Sequence, residues 1–220
     1  MSNNKILLLP ARVISQIASG EIIQRPLSIV KELVENSIDA KSSKIAITIE
    51  RGGKNLIKVE DNGWGIDKED LNLACLRHST SKLRNNDIYD IQYMGFRGEA
   101  LASIKEVAKL RIISRTATSN HAWLLEPQNN YNDINSVDSD KNLELTSLSK
   151  TYHDFGTTVI VENLFYMTPH KLRFLKNDLS ENNSSIDLIT RIALSHHQID
   201  FQLLIDGKKS LFLPCTSHLS

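Results

Sequence analysis

Ile29-Val30-Lys31-Glu32-Leu33-Val34-Glu35-Asn36-Ser37-Ile38-Asp39-Ala40 is the stretch whose reading decides the fold. On a helical wheel at about 100° per residue, Ile29, Val30, Leu33, Val34, Ser37 and Ile38 form one broad, mostly apolar stripe. Glu32 and Asn36 lie four residues apart, so they stack on one face at the edge of that stripe. Glu35 projects near the middle of the opposite face, where the wheel expects a solvated side chain. A carboxylate at the stripe edge is half-buried beside whatever the helix packs on. Taken alone, the stretch is an amphipathic helix with a polar rim.

Upstream, Val13 to Ser19 reads as a short helix stopped by Gly20, and Pro26 suits the first turn of the main helix, where its missing N–H costs nothing. Downstream, Lys44 to Glu50 alternates with period two and predicts a strand. Arg51-Gly52-Gly53-Lys54 turns the chain, and Asn55 to Glu60 returns as a second strand. That strand runs into Asp61-Asn62-Gly63-Trp64-Gly65-Ile66. Lys68 to Leu76 is helical, and Arg77 to Tyr93 is a polar loop or lid. Gly95-Phe96-Arg97-Gly98-Glu99-Ala100-Leu101 opens another helix that reaches Val107.

Strands follow at Leu110 to Ser114, His121 to Leu125 and Thr157 to Glu162. Gln128 to Asn142 is rich in Asn, Asp and Ser and reads as a mobile surface loop. Pro169 starts a short helix, Ile186 to Ser195 a longer one, and Ile199 to Leu213 a final hairpin. Strand pairs with helices between them predict an α+β fold, a two-layer α/β sandwich of a mixed, largely antiparallel sheet with helices on one face.

The chain's 220 residues suffice for one good-sized core, and 40% hydrophobic with 24% charged residues is the balance of a soluble globular protein. Formal net charge is zero, so any contact with nucleic acid must rest on local patches. Cys75 and Cys215 match no metal or redox spacing and point weakly to a reducing, cytoplasmic setting. No apolar run is long enough for a signal peptide or a membrane span, which predicts no membrane partner.

Three elements combine: the helix with Glu32 and Asn36, a strand ending in Asp-x-Gly-x-Gly, and a glycine-bearing helix start whose free amides and dipole favour an anion such as phosphate. The last is not a Walker A loop, because it lacks the Gly-Lys-Ser/Thr end. Their order and spacing resemble the Bergerat-type ATP-binding fold of gyrase B subunits, ninety-kilodalton heat-shock chaperones, histidine kinases and MutL. Gln16 to Ile23, Lys31 to Ser37, Arg77 to Lys82 and Gly95 to Leu101 are similar to the MutL mismatch-repair proteins in particular. The likeness extends from Ile6 to Lys208 and is weakest between Pro127 and Phe155.

The resemblance implies ATP and Mg²⁺ as ligands and a Mg-dependent ATPase. Glu32 would be the general base for the attacking water, and Asn36 would ligate Mg²⁺. Asp61 would accept from the adenine amine, supported by Thr157. Gly63, Gly65 and Ile66 would lie along the nucleotide. Gly95, Phe96, Arg97, Gly98, Glu99, Ala100 and Leu101 would hold the phosphates, with Lys82 on the lid near them. The implied partners are a second copy of the chain when ATP is bound, a mismatch-recognition protein of the MutS type, and DNA held weakly and without sequence preference.

The implied domain layout is an ATP-binding domain over residues 1–200, with a lid at about 77–98 and a mobile loop at about 127–155, and the start of a truncated second domain over 201–220. Two other functions fit the same residues. One is a nucleotide-binding interaction module that does not turn over; the other is a type II topoisomerase ATPase subunit, which the Gly-Phe-Arg-Gly-Glu-Ala segment disfavours.

Overall fold

A computed structural model of the chain describes residues 8, 14, 19, 21–77, 79, 98–127 and 146–216. Helix α1 spans Pro26–Asp39, with proline in its first turn and an extended Arg25 before it. The predicted stripe is its inner face: Ile29, Val30, Leu33, Val34 and Ser37 are buried, and Ile38 packs against the same core. Each of the four fully covered aliphatic side chains contributes about 1.5–3 kcal/mol by leaving water.

Strand β1, Lys44–Glu50, turns through Arg51–Gly53 into β2, Leu56–Asp61, as an antiparallel pair. Helix α2 is Lys68–Ala74 and helix α3 is Ala100–Val107. The remaining strands are β3 (Lys109–Arg115), β4 (Ala122–Pro127), β5 (Thr146–Thr151) and β6 (Gly156–Glu162). A 3-10 segment at Pro169–Phe174 leads to helix α4, Asp178–Ser195, and then to β7 (Asp200–Ile205) and β8 (Lys208–Leu213).

All eight strands form one sheet in the order β5-β4-β3-β6-β2-β1-β7-β8. Every pairing is antiparallel except β1 with β7. Alternate residues of the central strands, such as Ile45, Ile47 and Ile49, or Phe201 and Leu203, are buried, and the residues between them are half-exposed. The α+β sandwich read from the sequence is therefore the fold.

The hairpin of β7 and β8 extends the same sheet beside β1. A parallel strand needs a long crossover, and α4 supplies it. Within the stretch read as a mobile loop over 127–155, Thr146–Thr151 is strand β5, paired along its whole length with β4. Helix α4 begins eight residues earlier than Ile186, at Asp178, capped by the Asn177 side chain accepting from Ser180 N–H at 2.8 Å.

The start of α1 is tied to α4 by charge. Glu181 is 1% exposed and accepts from the Arg25 guanidinium at 2.9 Å and from the Lys176 N–H at 3.2 Å. At its other end α1 stops at Lys41, which takes a left-handed φ of 59° where glycine would be unstrained. Lys41→Gly is expected to stabilise the chain by roughly 0.5–1 kcal/mol, the left-handed cost less the added freedom of the unfolded chain. A urea midpoint that stays put or falls would refute this.

Candidate functional site

The site forms where the C-terminal half of α1 crosses the end of β2. Asp61 closes β2, in register with Ile45 on β1 and Thr157 on β6. Register partners share a face, so Asp61 and Thr157 both lie toward the helices. The carboxylate is held from three directions. Gly63 N–H donates to Oδ1 at 2.9 Å, Thr157 N–H donates to the same oxygen at 3.3 Å, and the Ser37 hydroxyl donates to Oδ2 at 2.9 Å.

Burial pushes the Asp61 carboxyl above the ordinary carboxylate range. The Gly63 amide, the Ser37 and Ser42 hydroxyls and the Thr157 amide pull it back down in part. Ser42 is 4% exposed and faces this carboxylate without closing a hydrogen bond of good geometry. Because the protein around it supplies donors only, the carboxylate is set up as an acceptor, with lone pairs left for an incoming N–H.

The glycines beside it are required by the protein's own packing. A Cβ on Gly63 would meet the Ala40 carbonyl oxygen and Ser42 Oγ at 2.6 Å each. Gly65 has φ +75°, and a Cβ there would overlap the Arg115 carbonyl at the end of β3. The loop is pinned at two more points. Trp64 N–H donates to the Ala40 carbonyl at 3.0 Å, and Ile66 N–H donates to Ser114 Oγ at 2.7 Å. The Trp64 side chain is 66% exposed, so it lines the rim rather than the core.

Glu32 and Asn36 stand one turn apart on α1, and both are half-buried. Glu35 is not solvated as the wheel suggested: its side chain is 11% exposed and pairs with Lys31 at 3.6 Å. The reason is that α1 packs on the sheet and against both α3 and α4, so Lys31 alone among its residues is exposed. Helix α3 begins just after Gly98 and Glu99, and Ala100 and Leu101 form its first turn. Gly98 lies against the backbone of Ser79. Helices α1 and α3 are in contact. Lys82, Gly95, Phe96 and Arg97 lie outside the described residues.

Sequence reading missed Ser37 and Ser114. Ser37 reads as part of the stripe, yet its hydroxyl meets Asp61. Ser114 carries no local motif. Cys75 is buried, its thiol pushed up to about 11 by desolvation, and so offers no nucleophile.

The profile of the histidine kinase-, DNA gyrase B- and HSP90-like ATPases matches residues 25–158, from the start of α1 through Asp61 to Thr157. The chain belongs to this ATPase family. Two curated proteins called DNA mismatch repair protein MutL, from Ehrlichia chaffeensis and Histophilus somni, are each 45% identical to it over 204 residues. Those matches cover 93% and 92% of this chain but 28% and 31% of the relatives, so the chain spans less than a third of their length. Among solved structures, the Aquifex aeolicus MutL ATPase domain complexed with ADP superposes with a TM-score of 0.69 at 29% identity, over 89% of this chain and 66% of that one. The N-terminal domain of a DNA repair protein gives 0.71 at 32% identity, over 90% and 54%. Among the described residues no helix is long and apolar enough to cross a membrane.

Proposed function

We propose that this chain is the ATP-binding and hydrolysing part of a MutL-type mismatch-repair protein, working as an ATP-driven clamp in the cytoplasm. The observation that carries the reading is the Asp61 carboxylate, half-buried and fixed by Ser37, Gly63 and Thr157 so that it accepts a hydrogen bond from an adenine amine. A half-buried acceptor of this kind rejects guanine, whose carbonyl would face it unpaired.

In this reading Glu32 takes the proton of the water that attacks the terminal phosphate, and the half-burial of α1's edge lets it act close to that water. Gly98, Glu99 and the first turn of α3 offer main-chain N–H groups to the phosphates. Among the described residues no three His, Cys, Asp or Glu side chains cluster to cage a metal. That fits a Mg²⁺ held by the Asn36 amide oxygen together with phosphate oxygens and water. When bound, the ion would offset phosphate charge.

Calorimetry with ATP, GTP and ADP, with and without Mg²⁺, alongside phosphate release tests the reading. Binding of ATP over GTP that needs Mg²⁺, with measurable turnover, is the expected result. ATP binding without turnover would leave a nucleotide-dependent interaction module, and no binding at all would end the reading.

The proposed partners are a second copy of the chain, a MutS-type protein and DNA. For DNA the basic segment is half-buried Lys171 with exposed Arg173 and Lys176 around Phe174, itself 84% exposed. About three phosphate contacts give a log–log salt slope of roughly −2 to −3, hence weak binding that collapses with salt. Arg173→Ala should reduce that slope by about 1. Tight binding that survives high salt would disprove this surface.

A further inference from the structure

Ser114 on β3 is in register with Thr157 on β6, which is in register with Asp61 on β2. The three side chains therefore form a row across adjacent strands, under the helices, and no surface of Ser114 reaches solvent. Three groups compete for its hydroxyl. Ile66 N–H donates to Oγ at 2.7 Å, Thr157 Oγ1 lies at 2.8 Å, and the Gly156 carbonyl lies at 3.1 Å.

A serine hydroxyl has one proton and two lone pairs. The Ile66 amide occupies one lone pair, which leaves two proton orders. Ser114 can give its proton to Gly156 and accept from Thr157, leaving Thr157 an acceptor toward the nucleotide. Alternatively it gives its proton to Thr157 Oγ1, and the Thr157 proton is then free to be donated. Beside Asp61, an acceptor, the second order presents acceptor and donor together. Adenine's edge is a donor amine next to an acceptor ring nitrogen, while guanine's is the reverse.

We infer that Ser114 is a positioning residue for base selection, acting through Thr157. By donating to Thr157 Oγ1 it directs that hydroxyl outward as a donor, so that Asp61 and Thr157 together match adenine and oppose guanine. This rests on the nucleotide-site reading given above. A misdirected hydroxyl forfeits one buried hydrogen bond, so the ATP-over-GTP preference should fall roughly tenfold in Ser114→Ala.

The test measures ATP and GTP affinities by calorimetry with Mg²⁺ for the parent, Ser114→Ala, Ser114→Thr, Thr157→Val and the Ser114→Ala/Thr157→Val pair, with thermal melts beside them. Ser114→Thr keeps the hydroxyl and should keep the parent's ratio. Thr157→Val should lose the preference, and adding Ser114→Ala should cost no further selectivity. An unchanged ratio in Ser114→Ala, even with lower stability or lower affinity for both nucleotides, would mean the residue only braces the sheet and would overturn the inference. An additive loss in the pair would overturn it too. A parent chain that fails to bind ATP would instead remove the nucleotide-site reading, and this inference with it.

Discussion

Exchange of Glu32 for alanine is expected to leave ATP bound and to cut turnover by on the order of a hundredfold or more. A general base acts on a proton that moves in the transition state, so its loss appears in kcat and scarcely in ground-state affinity. Glu35 is the natural control, because it lies on the same helix three residues away. Its side chain is 11% exposed and paired with Lys31, so Glu35→Ala should lower stability slightly, by the few tenths of a kcal/mol that such a helical pair contributes. Turnover per folded molecule should be unchanged. Asn36→Ala should lose Mg²⁺-dependent affinity as well as rate. Phosphate release and calorimetry on the three variants separate these cases. Normal turnover by Glu32→Ala with a dead Glu35→Ala would mean that the catalytic carboxylate has been assigned to the wrong face of α1.

Local periodicity and turn chemistry carried most of the fold. The stripe of α1 and the β1–β2 hairpin were legible because each is specified by neighbours in sequence: apolar spacing in one case, period-two alternation around Arg51-Gly52-Gly53 in the other. The first half of α4 was not, because its buried face is polar. Glu181, Asn182 and Ser185 pack inward there, and a hydrophobic pattern cannot reveal them. Strand β5 escaped for a similar reason: Thr146–Thr151 is polar and sits at the sheet's edge. That β7 lies beside β1 was not legible either, because the pairing is non-local. The same limit hid Ser114. Its place beside Thr157 comes from register across adjacent strands, which no window of sequence contains, whereas the turn after Asp61 was legible from the glycines in it. Glu35 marks the limit of a wheel, which knows what one face contacts and nothing of neighbours packed on the flanks.

Asp61→Asn should weaken ATP binding by roughly a hundredfold, the cost of replacing a charged buried hydrogen bond by a mismatched one. The amide keeps an oxygen for the Gly63 and Thr157 N–H groups, which turns its NH₂ toward Ser37, whose hydroxyl can accept it while donating to the Leu33 carbonyl at 3.1 Å, and toward the adenine amine, donor against donor. The parent's affinity should also depend on pH. Burial raises the folded carboxyl above its unfolded value, and the ionised form accepts from the amine more strongly than the neutral acid, so ATP affinity weakens as pH falls through that raised value. Stability has the opposite sign. A raised carboxyl contributes most below its unfolded range, and that contribution is lost as pH rises through the folded one, so at neutral pH the buried charge is a cost. The asparagine variant removes that cost. Without nucleotide it should melt no earlier than the parent at neutral pH, while its residual ATP affinity should be flat across the acid range. Calorimetry from neutral to acid pH, with melts of both proteins, decides the matter. Equal ATP affinity for the two chains would show that Asp61 does not read the base.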